Sequence, residues 1–67
     1  MSLLKVIEVL AESDKSWEDA ARNAVKQAGE TVRNIKSIYV ENFEAVVKDG
    51  KISSYRINAK ISFLLDK

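Results

Sequence analysis

The sequence predicts an α+β fold of β-α-β-β order, a three-stranded antiparallel sheet packed on one helix. Three stretches carry that reading. From Tyr55 to Leu65, the apolar residues Tyr55, Ile57, Ala59, Ile61, Phe63 and Leu65 alternate with Arg56, Asn58, Lys60 and Ser62, and only Leu64 breaks the pattern. Period two over that length marks a strand with one face on a core and one on polar surroundings. Trp17, Ala20, Ala21, Ala24, Val25, Ala28 and Val32 recur at the spacing of one helix face. Lys48-Asp49-Gly50-Lys51 marks a tight hairpin, because both central residues tolerate positive φ.

The elements follow in order. Leu3 to Leu10 reads as the first strand, apolar on both faces apart from Lys5 and Glu8. Such a strand needs cover on both sides, and one short helix supplies only one. Ala11 to Lys15 reads as a polar connection. Ser16 is the expected N-cap, with Glu18 and Asp19 at the positive end of the helix dipole and Asp19 where a capping box carries glutamate. The helix is expected to run to Val32 or Arg33, with Asn34 as a left-handed stop. The second strand is expected over Ile35 to Val47. Ile38 and Val40 share one parity, while Phe43, Ala45 and Val47 share the other, so a bend or bulge near Asn42 is expected. The long last strand has the pattern of a central one. Pairing it with the other two gives the sheet order 1-3-2.

Composition bounds the function. Sixty-seven residues make one domain, spanning 1–67. A monomer this small buries only about 60% of its unfolded surface, so a staple is expected. With neither cysteine nor histidine, disulfides, zinc sites and thiol nucleophiles are gone. Oligomerisation is the staple that remains. The net charge of +1, from eleven basic and ten acidic residues interspersed, carries no nucleic-acid footprint and no basic face for a membrane. No apolar run reaches the length of a membrane span. The stretch after Met1 is short, is broken by Glu8 and has no cleavage site behind it, so it does not read as a secretory leader. A cytoplasmic location is the default.

No glycine-rich phosphate loop and no nucleophile-base pair is present, and no enzyme is expected. Glu12, Asp14, Glu18 and Asp19 cluster around the helix start. Capping and solubility explain them better than a hard-cation site, which lacks the spaced acids of a calcium loop. Trp17 reads as a core or interface anchor rather than a stacking platform. Ser37 and Tyr39 share one face of the second strand, and Arg56 and Asn58 one face of the third. If that face is uncovered, the four residues suit either a planar ligand or a polar interface, and their types favour the interface.

The opening Lys5-Val6-Ile7-Glu8-Val9, the segment Ser16-Trp17-Glu18-Asp19-Ala20-Ala21, and the closing Tyr55-Arg56-Ile57 with Ile61-Ser62-Phe63 resemble the dodecins. The resemblance spans nearly the whole chain. It implies a hollow homododecamer, a non-enzymatic store for flavin (riboflavin or FMN) held between subunits. Flavin-binding members stack a tryptophan on the isoalloxazine ring, and that position falls at Ser37. They also hydrogen-bond the ring with a glutamine, and that position falls at Arg56. Serine forgoes the roughly 0.5–1.5 kcal/mol of a stacked aromatic. Arginine donates only and cannot copy an amide, but it suits a phosphate or carboxylate. The Ser-Trp-Glu and Tyr-Arg-Ile segments look more like a branch associated with calcium. The expectation is a shell with an altered flavin pocket at Ser37, Tyr39, Arg56 and Asn58. The alternative is a flavin-free shell that binds calcium or another small ion, or serves only as a structural assembly.

Overall fold

The computed structural model describes residues 3–65. It contains β1 (Leu4–Ser13), α1 (Trp17–Ala28), β2 (Ile35–Lys48) and β3 (Lys51–Leu64). The sheet order is β1-β3-β2 with both pairings antiparallel, as the alternation in β3 predicts.

The apolar parity of β3 faces α1. Ala20 and Ala24 of the helix are buried with Ile57, Ala59 and Ile61, which are 1%, 0% and 0% exposed. Val9, Ala11, Trp17, Ile38 and Val40 pack around this centre. Alanine at the contact lets the helix axis lie close to the sheet. The cover is partial, since α1 packs mainly on β1 and β3 and least on β2.

The ends of two elements differ from expectation. β1 does not stop at Leu10 but continues to Ser13, which pairs with Tyr55. The polar residues Glu12 and Ser13 are held by the ladder to β3, which apolar patterning cannot reveal. The helix does not reach Val32. It ends at Ala28 with Gly29 as C-cap, whose N–H bonds the Val25 carbonyl at 2.9 Å. Residues 29–31 continue as turns, and Asn34 takes the expected left-handed conformation (φ 63°) one step before β2.

Two local expectations match the structure. The register slips between Val40 and Asn42, which moves Phe43, Ala45 and Val47 to the helix side of the sheet. Asp49 (φ 52°) and Gly50 (φ 75°) both sit at positive φ in the hairpin turn. At the helix start, the Asp19 N–H donates to Ser16 Oγ at 2.9 Å. Asp19 does not reach back to the Ser16 N–H as a capping box would. Its carboxylate accepts from Ser13 Oγ (2.6 Å), and the Ser16 N–H turns to Ser13 Oγ (3.4 Å). Ser13 therefore supplies the second half of the cap.

Beyond the Ser13–Tyr55 pair, β2 and β3 run on as a two-stranded arm with neither a third strand nor helix cover. The molecule is accordingly long and flat, 51 × 20 × 13 Å. Among the described residues, no helix is long and apolar enough to cross a membrane.

Candidate functional site on the outer face of the sheet

The polar parity of β3 faces away from α1. The register sets Glu8, Leu10 and Glu12 of β1 on one side of Lys60, Asn58 and Arg56. It sets Tyr39, Asn42 and Glu44 of β2 on the other. All four residues singled out from sequence therefore lie on this uncovered face. They do not form one cluster. Ser37 pairs with Ser62 and Tyr39 with Lys60 near one end, while Arg56 pairs with Glu44 toward the arm. Ser37 and Arg56 are separated by roughly 20 Å at the usual rise of a strand.

At the first end, Ser37 Oγ and Ser62 Oγ share a hydrogen bond of 2.6 Å. Tyr39 projects from the sheet and is 64% exposed. At the other end, Arg56 is set between two carboxylates. Its Nε and Nη2 donate to Glu12 Oε2 at 2.9 and 2.6 Å, and Nη1 lies 3.7 Å from Glu44 Oε1. The hydrogen bonds and charge of Glu12, with a lesser contribution from Glu44, raise the guanidinium pKa and keep it charged at any working pH. Both short bonds land on one Glu12 oxygen, so the contact is not the two-pronged fork usual for arginine and carboxylate. A shallow recess of about 300 Å³ beside it is lined by Leu10, Ala11, Glu12 and Arg56.

Asn58 lies between these ends, opposite Leu10 and Asn42. Its Oδ1 is buried and accepts no hydrogen bond among the described residues.

Glu12 and Glu44 are the site residues that sequence patterning misses. Glu12 reads as part of a connection until β1 is extended, and Glu44 lies beyond the bulge that reverses the parity of β2. Their signal is charge complementarity to Arg56 across the ladder, which appears only once the register is known. The acids at the helix start are dispersed among separate tasks. Glu18 pairs with Arg22 (3.0 Å), Asp19 serves the cap, and Glu12 holds Arg56. Among the described residues, no three acids come together to hold a metal ion. Trp17 anchors the helix start, its Nε1–H donating to the Glu44 carbonyl (2.9 Å) and its ring meeting Phe43 and Tyr55 edge-on.

The sequence profile of the dodecins matches residues 3–66. This chain belongs to the dodecin family. Calcium dodecin of Mycobacterium tuberculosis is 42% identical over 64 residues, covering 94% of this chain and 89% of that protein. A crystal structure of that calcium dodecin, described as calcium chelating with a calcium-binding site, matches with a TM-score of 0.83 at 38% identity, covering 97% of this chain and 93% of its own. The dodecin of Streptomyces coelicolor matches with a TM-score of 0.94 at 27% identity, covering 98% and 94%. The β-α-β-β order and the 1-3-2 sheet are thus the dodecin fold.

Ser37 has no ring to stack and is already bonded to Ser62. Arg56 is held by Glu12.

Proposed function

We propose that this dodecin is a non-enzymatic binding and storage protein of the cytoplasm. It closes into a homododecamer and holds its small ligand where copies meet, on the face that carries Ser37, Tyr39, Arg56 and Asn58, with calcium rather than flavin as the resident; Arg56, itself a cation, would not bind calcium but would position the Glu12 and Glu44 carboxylates beside it. One observation carries the assembly. The protomer exposes 5231 Å², while a compact monomer of 7.5 kDa exposes only ~4,200 Å². The excess of about 1,000 Å² is more than the roughly 800 Å² a subunit contributes to a standard interface. Leu4, Val6 and Leu10 stand exposed on the outer face of β1. The two ends of the candidate site are also too far apart for one small ligand to touch both on a single chain. Two copies facing one another would bring them together.

The choice of calcium rests on the 42% identity to a protein named for it, and on the lack of a stacking ring at Ser37. Carboxylate oxygens such as those of Glu12 and Glu44 are hard-cation ligands. No set of three acids gathers within the described residues of one protomer, so such a site would draw on more than one copy.

A native mass spectrum of the purified particle tests the reading together with two titrations. The expected results are a dodecameric mass, retained calcium in equilibrium dialysis, and riboflavin or FMN that keeps its full fluorescence. A yellow particle that quenches added flavin would reinstate flavin as the ligand. Failure to retain calcium, with flavin fluorescence unchanged, would leave a structural shell.

A further inference from the structure

We propose that Trp17 is a positioning residue for the charged row Glu12–Arg56–Glu44, holding from behind one of the two carboxylates that take the cation. This rests on the reading of calcium on that face and adds a residue from the opposite side of the sheet.

The row crosses all three strands at one level. Glu12 pairs with Arg56, and Arg56 with Glu44. Side chains alternate along a strand, so a chain neighbour of each faces the helix: Ser13 on β1, Tyr55 on β3 and Phe43 on β2. All three neighbours are tied to the first turn of α1. Ser13 Oγ donates to the Asp19 carboxylate at 2.6 Å. The Trp17 ring meets Tyr55 at 4.9 Å and Phe43 at 5.7 Å between centroids, edge-on in both cases. The start of the helix therefore grips each strand of the row from underneath.

The grip matters most at Glu44. β2 is an edge strand, the helix packs on it least, and the register shift between Val40 and Asn42 lies just before Glu44. A bulge bends its strand and re-aims the side chains beside it. Glu12 has a firmer seat, because the ladder from β1 to β3 runs without a shift. The Trp17 indole makes up the difference. Its Nε1–H donates to the Glu44 carbonyl oxygen at 2.9 Å. Glu44 is thus held through its backbone, while its carboxylate stands 3.7 Å from Arg56 Nη1. The Glu12 carboxylate, 2.6 Å from Arg56 Nη2, is held by the guanidinium itself. The looser of the two carboxylate contacts is the one whose backbone Trp17 fixes. A ligand placed in advance loses less freedom when the cation arrives, and removing a hydrogen bond that orients a metal ligand costs about 10–100-fold in affinity.

Calcium affinity by equilibrium dialysis tests this with two variants. Trp17→Phe keeps a ring against Tyr55 and Phe43 but lacks the N–H, and should bind calcium about tenfold more weakly. Ser16→Ala loosens the same helix start, since its hydroxyl serves the Asp19 N–H, and should leave the affinity unchanged. An equal fall in both variants would make Trp17 a structural anchor and overturn the proposal, as would an unchanged affinity in Trp17→Phe. Calcium binding itself would stand in either case. If Trp17→Phe does not fold, emission decides. Trp17 is the one tryptophan of the chain, so calcium should shift the wild-type emission, and Glu44→Gln should abolish the shift at saturating calcium. Emission silent to bound calcium, or a shift that survives Glu44→Gln, would overturn the proposal. A wild type that retains no calcium would overturn the calcium reading and the role of Trp17 with it.

Discussion

The two faces of β3 differ more than any two elements of the molecule. On one face, Ile57, Ala59 and Ile61 are almost fully buried against Ala20 and Ala24. On the other, Arg56, Asn58, Lys60 and Ser62 have no helix over them and are flanked only by neighbours across the ladder. The first face is complete within one chain. The second leaves Leu10 and Val6 of the neighbouring strand exposed, and the proposed assembly would cover it. A strand of period two thus records two environments, and only one of them is closed within the protomer.

The sharpest way to break the covered face is Ile61→Ala. The residue is fully buried, so loss of its side chain should cost about 2–5 kcal/mol. The urea midpoint at fixed protein concentration reads this, since the proposed assembly would make stability depend on concentration. A change as small as that of an outer-face residue would mean that the helix does not define the core. Ser16→Ala acts on the same face more gently. It removes the acceptor of the Asp19 N–H, and a lost cap costs about 1 kcal/mol. The thermal midpoint should fall without a change in particle mass.

The outer face answers to ligand rather than to heat. Ser37→Trp with Arg56→Gln would introduce a stacking ring and an amide at the expected pocket positions, a gain of about 1 kcal/mol for the stack alone. Quenching of riboflavin fluorescence should appear or strengthen. An unchanged titration would place the pocket elsewhere. The smallest effect is expected for Glu12→Gln. Its bonds to Arg56 are short but exposed, and such pairs are weak and screened by salt. The wild type and variant should differ slightly at low salt and converge as salt rises. A gap that persists at high salt would show that the pair is buried between copies.

Much of the covered face was legible in the sequence. Alternation in β3 gave its parity, the Ala20–Ala24–Ala28 spacing gave the helix face, and the parity change at Phe43 gave the bulge. Gly29, the C-cap, marks the true end of the helix, but Val32 lies on the same apolar stripe and makes the helix look longer from sequence. The outer face was less legible. Ser37, Tyr39, Arg56 and Asn58 could be assigned to it by parity. The partners Ser62, Glu12 and Glu44 depend on register across strands distant in sequence, and a period within one strand does not encode that. The extension of β1 to Ser13 was hidden for the same reason, since Ala11, Glu12 and Ser13 are held there by β3 rather than by their own propensity.

The mass of the intact particle, followed by light scattering down a dilution series, tests most directly whether the outer face belongs to an assembly. The expected result is a dodecamer that persists on dilution. A folded, monodisperse single chain would contradict it.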